Sequence, residues 1–257
     1  IVGTAEVLTP AMSLERVAEY LIPMAQKASV PVCVHFDHGL TFEMCMEALK
    51  LGYKSVMYDC STDTYEDNVE KVAQMVKICH GFGATVEGEL GHVGDNEGSA
   101  EGDSHLADPS VYFTDVNLAK DFVDRTGVDA LAVAVGNAHG DYKFPPKLDF
   151  QRIDDIAQRT GVPLVLHGGS GIPDDQVKAA IKAGIRKMNI GTDVCCAFAD
   201  GTKEMLPGTG LPELVFSQDS NDCFIGSSSE YKTLSLSIPR FLHSFLITLA
   251  SGHTVVE

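Results

Sequence analysis

Three histidines occupy similar positions in short motifs, each of which follows a run of apolar residues. The motifs are V-H-F-D-H-G, which contains Asp37 and His38, V-G-N-A-H-G, which ends in His139 and a glycine, and V-L-H-G-G-S-G, which contains His167. Three neutral imidazoles with an open fourth position form the usual catalytic zinc site. Each histidine alone is more simply a hydrogen-bonded loop residue, but three at equivalent positions favour a shared ion. We therefore expect His38, His139 and His167 to bind zinc, with Asp37 beside it.

A glycine-rich segment follows His167 directly. Residues 168–171 read G-G-S-G and precede a predicted helix that begins near Pro173. Free backbone N–H groups and the positive end of a helix dipole suit a phosphate group. The last predicted strand continues into N-I-G-T-D at residues 189–193, which offers further donors beside this loop. In (β/α)8 barrels, the loops after strands 7 and 8 often form a phosphate site.

Carboxylates stand at the ends of the other predicted strands. Asp59 follows one strand, and Glu87 and Glu89 alternate along the next, so that both face one side of the sheet. They either bind metal or accept hydrogen bonds from histidine ligands. The polar, glycine-rich residues 91–109 carry Glu97, and a loop this long in a compact domain is usually functional or disordered. We interpret it as a lid that brings a carboxylate to the site; the alternative is a solvated acidic loop.

The elements that must position these residues alternate between strands and helices. Apolar runs predict strands at residues 1–5, 30–36, 55–58, 84–87, 130–135, 163–166 and 185–190. Segments with helical spacing separate them, which predicts a parallel sheet. Because the candidate residues fall at the carboxyl ends of different strands, we favour a (β/α)8 barrel over an open doubly wound sheet. With seven strands visible and the first at residue 1, one βα unit is expected to be missing from the front.

Helix boundaries can also be placed from the sequence. Leu14 and the apolar residues after it recur at helical spacing behind a plausible Ser13 cap, while Asp174 and Asp175 suit the first turn of a helix that Gly184 ends. After about residue 201 the pattern is lost. We expect a catalytic barrel over residues 1–200 and an atypical segment over 201–257, with one helix at 238–250.

Composition narrows the function classes further. The net charge of −17 argues against a nucleic-acid surface and requires a bound phosphate to be held by local groups. No apolar run reaches the roughly 20 residues of a membrane span, and nothing resembles a signal peptide. Seven cysteines without a CxxC pair indicate free thiols. These features favour a cytoplasmic enzyme that acts on small molecules.

Five motifs, taken together and in order, resemble those of the class II, zinc-dependent aldolases of fructose or tagatose 1,6-bisphosphate. They are V-H-F-D-H-G, E-G-E-L-G-H-V-G, V-G-N-A-H-G, V-L-H-G-G-S-G and K-M-N-I-G-T-D, and the resemblance covers about residues 1–200. It implies reversible cleavage of the bisphosphate to dihydroxyacetone phosphate and glyceraldehyde 3-phosphate. It also implies a homodimer or homotetramer, zinc at the three histidines, and Na⁺ or K⁺ near the phosphate.

The resemblance further assigns individual roles. Asp37 would move the proton of the C4 hydroxyl, and Glu97 on the lid would exchange a proton with the C3 carbon. Asp59 and Glu89 match positions that contact the ligands or offer an alternate metal site. The residues implied in binding dihydroxyacetone phosphate are Gly140, Gly168, Gly169, Ser170, Asn189, Ile190, Gly191 and Thr192. Against the family pattern, the chain lacks a first βα unit with a substrate-binding asparagine and the usual closing helix and arm.

Three other functions remain open at this stage. A Schiff-base aldolase needs a lysine at the catalytic end, whereas Lys54 and Lys187 are expected at the starts of their strands. A metal-dependent hydrolase of the amidohydrolase kind needs an early HxH pair, whereas His35 and His38 are spaced HxxH. A truncated homologue would bind metal without turnover. The sequence does not separate fructose from tagatose bisphosphate, which differ only at C4, and the commoner glycolytic role favours fructose.

Overall fold

The computed structural model describes residues 1–93, 112–140, 142 and 146–205, with backbone alone for 202–205. Seven strands alternate with seven α-helices. The strands are β1 (Val2–Ala5), β2 (Val34–Gly39), β3 (Ser55–Tyr58), β4 (Thr85–Leu90), β5 (Ala130–Val133), β6 (Leu164–Leu166) and β7 (Ile185–Met188). The helices are α1 (Leu14–Lys27), α2 (Phe42–Leu51), α3 (Tyr65–Gly81), α4 (Val116–Thr126), α5 (Phe150–Thr160), α6 (Asp174–Ala183) and α7 (Thr192–Met205), with a short 3-10 helix at Glu6–Leu8.

The strands form one parallel sheet in sequence order, from β1 to β7. A doubly wound sheet would reverse its strand order at a switch point, and this sheet does not. Glu87 of β4 contacts Lys187 of β7 at 2.6 Å although two strands separate them, and a flat sheet would hold such strands roughly 14 Å apart. The sheet therefore curls around its interior, and the fold is an α/β barrel with seven strands in the described residues, as predicted.

Helix packing on the outside of the sheet holds β4 in place. Phe122 of α4 is fully buried, and its ring lies against Gly88, where a Cβ atom would come within 3.0 Å of it. Val128 packs on the same glycine. Because Gly88 lies between Glu87 and Glu89, this contact fixes the strand that carries both candidate carboxylates.

Several predicted boundaries are wrong. The strand expected at 30–36 begins at Val34 and runs to Gly39, because Pro31 lacks an N–H for the ladder and the pairing continues past Phe36. Asp37 and His38 thus lie inside β2 rather than after it. The strand expected at 84–87 extends to Leu90, and the one expected to reach residue 190 ends at Met188.

The helix predictions have a mixed outcome. Asp174 and Asp175 lie in the first turn of α6 and Gly184 terminates it, as expected. Ser13 stands at the N-cap of α1, but its side chain makes no capping hydrogen bond. Helix α7 continues through the expected boundary at 200–201, since one glycine costs a helix only about 1 kcal/mol.

Two expectations fall outside the described residues: Glu97 with most of its lid, and the helix at 238–250. Within the part of the chain that is described, none of the helices combines the length and apolar character needed to cross a membrane.

Replacing Phe122 with alanine should destabilise the barrel, because it opens a cavity against β4. We expect the free energy of unfolding to fall by about 3–5 kcal/mol, measured by chemical denaturation followed by circular dichroism. Leu118→Ala on the same helix is the matched control, since Leu118 is 43% exposed and should cost less than about 1 kcal/mol. Equal losses for the two variants would contradict the packing described.

Candidate metal centre and active site

A local irregularity at the end of β2 aims its last side chains at the site. The register between β2 and β3 shifts between Phe36 and Gly39, and His38 adopts a positive φ of 42°. A non-glycine residue in this region is strained by about 1–3 kcal/mol, and such strain concentrates at functional sites. Gly39 permits the bend because a Cβ there would lie 2.6 Å from the Met57 carbonyl oxygen. The result is that Asp37 and His38 face the barrel interior.

The three predicted histidines meet inside the barrel. His38 comes from β2, His139 from the loop after β5, and His167 from the residue after β6. Nε2 of His38 lies 2.7 Å from Nδ1 of His167, and the ring centroids of His38 and His139 are 4.9 Å apart. One ring nitrogen of each of the three lies within 4.8 Å of the others. The structure thus assembles a trio of imidazoles from three separate elements.

Carboxylates fix the orientation of two of these rings. Nδ1 of His38 donates to Asp59 at 2.8 Å, and Nε2 of His167 donates to Glu87 at 2.9 Å. Because an ionised carboxylate only accepts, these nitrogens carry the protons. Nε2 of His38 and Nδ1 of His167 are therefore the ones turned toward the centre of the trio. This arrangement, in which a carboxylate holds the far nitrogen of an imidazole, is typical of histidines that bind a metal.

The charges of these groups are set by burial and by each other. Burial raises the pKa of Glu87, but the charge of Lys187 and the hydrogen bond from His167 outweigh it and lower the pKa to about 2. Burial likewise opposes ionisation of Asp59, yet the hydrogen bond from His38 lowers its pKa to about 2. Both carboxylates are therefore ionised at neutral pH.

Burial and the neighbouring charges shift the pKa values of His38 and His167 in opposite directions. Burial lowers the pKa of His38, but the hydrogen bond to Asp59 and the charge of Asp37 raise it to about 9. For His167, burial prevails over Glu87 and leaves its pKa below the ordinary value.

Asp37 is held beside the trio by two side chains. The amide nitrogen of Asn189 donates to both carboxylate oxygens of Asp37, at 3.0 and 3.2 Å, and Nε2 of His35 lies 3.4 Å from Oδ1. Burial raises the pKa of Asp37, but the neighbouring His35 ring and the charges of His167 and His38 bring it well below its ordinary value. Asp37 is an oriented carboxylate with 18% of its side chain exposed.

Glu89 lies on the other side of His38. It is buried, its Oε1 accepts the N–H of Val93 at 3.2 Å, and its Oε2 has no hydrogen-bond partner in the structure as described. Burial, reinforced by the charge of Asp59, raises its pKa to about 8. His38, Asp59 and Glu89 form a second group with ligand atoms within 4.8 Å of one another.

Two residues that the motifs did not single out tie the histidine loops together. Asn137 donates from Nδ2 to the His167 carbonyl at 3.0 Å, and the Tyr142 hydroxyl accepts from the Ala138 N–H at 2.8 Å. The same hydroxyl donates to the Gly168 carbonyl at 3.0 Å. Asn137 could have been found, since it stands inside V-G-N-A-H-G. Tyr142 gives no such signal because its role depends on how the loops close.

The glycine loop after β6 packs on the segment after β7. Gly168 has a φ of +61°, and a Cβ there would overlap the Ala138 carbonyl oxygen, so only glycine fits between the two histidine loops. The Gly169 N–H donates to the Asn189 carbonyl at 2.8 Å and is not free for a phosphate. Ser170 Oγ accepts the Asp193 N–H at 3.1 Å, and the Asp193 carboxylate accepts the Gly171 N–H at 3.3 Å.

The remaining predicted residues surround this loop. Gly140 follows His139 with a φ of +82°, Ile190 and Gly191 are exposed, and Thr192 begins α7. The Asn189 side chain contacts Asp37, while its carbonyl accepts the Gly169 N–H. Glu97 is outside the described residues, so its distance from the trio is not given by the structure.

Comparisons with known proteins identify the family to which the chain belongs. The family model for "Fructose-bisphosphate aldolase class-II" matches residues 1–234, past the residue 200 to which the resemblance was expected to extend. A fructose-bisphosphate aldolase of Geobacillus stearothermophilus is 43% identical over 178 residues, 69% of this chain and 60% of that protein. The chain thus spans less than two thirds of the first curated relatives.

Solved structures show the same fold. The crystal structure of the YdjI aldolase of Escherichia coli superposes with a TM-score of 0.69 at 35% identity, over 80% of this chain and 71% of that one. A structure described as a putative fructose-1,6-bisphosphate aldolase of Coccidioides immitis gives 0.67 at 26% identity, over 79% and 70%. With its barrel, its motifs and the family match in agreement, the chain belongs to the class II fructose-bisphosphate aldolase family.

Proposed function

We propose that this protein is a zinc-dependent aldolase that reversibly cleaves fructose 1,6-bisphosphate to dihydroxyacetone phosphate and glyceraldehyde 3-phosphate. The observation that carries the proposal is the imidazole trio, two of whose rings are held by ionised carboxylates, with Asp37 beside it. Carbon–carbon cleavage next to a carbonyl requires a metal ion that polarises the carbonyl and a nearby base that accepts a proton.

The trio fits a divalent cation. The facing nitrogens of His38 and His167 lie 2.7 Å apart, at hydrogen-bond distance. A cation bound by both nitrogens would replace the proton between them. Three nitrogen donors and no thiolate suit zinc with one open position. The unpartnered, buried oxygen of Glu89 offers a further or alternate ligand with Asp59, as the family resemblance implies.

Asp37 would do the proton transfer. When bound, zinc would polarise the substrate carbonyl as a Lewis acid and stabilise the charge that develops on it. Asp37 would take the proton from the C4 hydroxyl during cleavage and return it during condensation. Asn189 and His35 hold the carboxylate oriented for this, and its lowered pKa keeps it in the basic form.

The substrate phosphate would lie over the two loops that follow β6 and β7. Gly140, Gly168 and Ser170 would contact it from the loops that follow His139 and His167, and Asn189, Ile190, Gly191 and Thr192 from the segment that follows β7. The start of α7 adds a helix dipole. Because Gly169 gives its N–H to Asn189, its contribution would be the close packing of these loops. The Asp193 carboxylate at the loop supports a monovalent cation, Na⁺ or K⁺, beside a bound phosphate.

The remaining parts of the proposal are carried over from the family resemblance. Glu97 would exchange the proton on the C3 carbon from the lid. A homodimer or homotetramer belongs to the same set of expectations, whereas the cytoplasmic location is proposed from the free thiols and composition.

Two other functions compete with this proposal, and each predicts a different experimental result. Tagatose 1,6-bisphosphate would require only an altered contact at the C4 hydroxyl, so cleavage rates on the two sugars decide between them. Since the chain covers 60% of its first curated relatives, a metal-binding homologue without turnover is the second competitor. The Schiff-base alternative is disfavoured because the Lys187 ammonium lies in an ion pair with Glu87.

Removing the metal should abolish cleavage. We expect fructose 1,6-bisphosphate cleavage, followed by coupled detection of triose phosphate, to cease after dialysis against a chelator and to return when zinc is added. A covalent adduct trapped by borohydride, or activity that survives chelation, would contradict the zinc mechanism. Zinc-loaded, folded protein that cleaves neither sugar would establish the non-turnover alternative.

Replacing Asp37 with asparagine should remove the base and leave the metal. We expect kcat to fall by about 10²- to 10⁴-fold, the usual contribution of a general base, with one zinc retained per chain by elemental analysis. Asp63→Asn is the control, since Asp63 forms a surface ion pair with Lys71. Loss of zinc in the Asp37 variant would assign that residue a structural role instead.

Replacing Tyr142 with phenylalanine should weaken metal binding without removing a ligand. The variant loses the hydroxyl that joins the loops of His139 and His167, so their nitrogens are less well placed before the metal binds. We expect zinc affinity to fall about 10-fold, the equivalent of one partly buried hydrogen bond. Competition with a chromophoric chelator measures it, and Tyr20→Phe at an exposed position is the control. Unchanged affinity would show that the loops are fixed by other contacts.

A further inference from the structure

A second cluster of polar side chains lies inside the barrel next to the imidazole trio. It consists of His35 on β2, Glu87 on β4 and Lys187 on β7. Nζ of Lys187 donates to Oε2 of Glu87 at 2.6 Å and lies 3.2 Å from Nε2 of His35. His35 and Glu87 are 1% and 3% exposed, and the Lys187 side chain is 13% exposed. The proposed reaction uses none of the three directly.

Lys187 reaches one metal ligand through Glu87. The two oxygens of Glu87 have different partners, since Oε1 accepts from His167 and Oε2 accepts from Lys187. A carboxylate bonded at both oxygens cannot rotate without breaking one bond. The ammonium therefore fixes the rotamer in which Glu87 holds His167.

Lys187 reaches Asp37 through His35. Nε2 of His35 lies between the ammonium at 3.2 Å and Oδ1 of Asp37 at 3.4 Å, while Nδ1 of the same ring bonds to the Ser55 hydroxyl at 2.8 Å. Because an ammonium only donates, Nε2 accepts from Lys187 and Nδ1 donates to Ser55. With both nitrogens engaged, the ring has a defined plane beside Asp37.

The same cluster has the composition of a metal site, because ligand atoms of His35, Asp37 and Glu87 lie within 4.8 Å of one another. The Lys187 ammonium already lies 2.6 Å from Glu87 and 3.2 Å from His35, so it provides the positive charge that these groups require. A divalent ion here would meet that charge at close range, which is unfavourable. We therefore expect a metal at the imidazole trio and not at this second cluster.

We propose that Lys187 is a positioning residue for both halves of the active site. Its ammonium holds Glu87 against the metal ligand His167 and holds His35 against the base Asp37, and so couples metal binding to the placement of the base. The inference rests on the proposed function, because it takes the trio as the metal site and Asp37 as the base. It adds a role for a residue that contacts neither metal nor substrate.

The test compares Lys187→Met, which keeps the length but removes the charge, with Lys187→Arg, which keeps the charge. Lys54→Met is the matched control, since Lys54 directly precedes β3 and its ammonium donates only to the Phe82 carbonyl among the bonds described. Each protein is titrated with Co²⁺, whose visible spectrum reports affinity and ligand geometry. Cleavage of fructose 1,6-bisphosphate is then measured at saturating Co²⁺.

For Lys187→Met we expect Co²⁺ affinity to fall about 10-fold, as for the loss of other groups that orient metal ligands, with an altered visible spectrum. At saturating metal, kcat should fall about 10-fold and KM should change less than about twofold, because Lys187 acts on the base rather than on substrate binding. Lys187→Arg should recover most of the affinity and kcat, and Lys54→Met should match wild type.

Circular dichroism establishes that each variant is folded. If Lys187→Met does not fold, the double variant Glu87→Gln with Lys187→Met removes both buried charges together, and we expect it to fold and to bind Co²⁺ at least about 10-fold more weakly. Folded variants that bind Co²⁺ and turn over like Lys54→Met would overturn the positioning role alone. A wild-type protein that neither binds Co²⁺ nor cleaves the sugar would overturn the proposed function and the inference with it.

Discussion

The site depends on one constraint, namely that charges buried inside the barrel must be paired. Glu87 is 3% exposed and ionised, so it requires both His167 and Lys187. Asp59 pairs with His38 in the same way. A buried carboxylate that loses its partner costs several kcal/mol, so each of these pairs fixes its members in one arrangement. The orientation of the imidazole nitrogens, and with it the capacity to hold a metal, follows from this pairing.

The barrel makes such pairing possible because it brings distant segments into one small interior. Lys187 and Glu87 are 100 residues apart, and His38 and His167 are 129 apart. Close approach of the loops requires glycine at Gly168, and the bend after His38 requires it at Gly39. Packing on the outside, such as Phe122 against Gly88, then keeps the strand of the two glutamates in place. The contacts that stabilise the barrel therefore also fix the geometry of the site.

The sequence predicted the barrel and the meeting of the three histidines, because the strand period and the positions of the motifs depend on local pattern. It could not place the end of β2, where the positive φ of His38 and the register shift arise from pairing with β3. It placed Lys187 at the start of its strand, which is wrong, because β7 ends at Met188 and Lys187 is the third of its four residues. The ion pair with Glu87 becomes visible only when β4 and β7 face each other. Tyr142 was missed for the same reason.

The central claim is that His38, His139 and His167 together bind one catalytic zinc ion. An anomalous difference map from a zinc-soaked crystal, recorded on both sides of the zinc absorption edge, tests it most directly. The account predicts one peak about 2.0–2.1 Å from Nε2 of His38, Nδ1 of His167 and a ring nitrogen of His139. A peak among His35, Asp37 and Glu87 instead, or no peak at the trio, would contradict it.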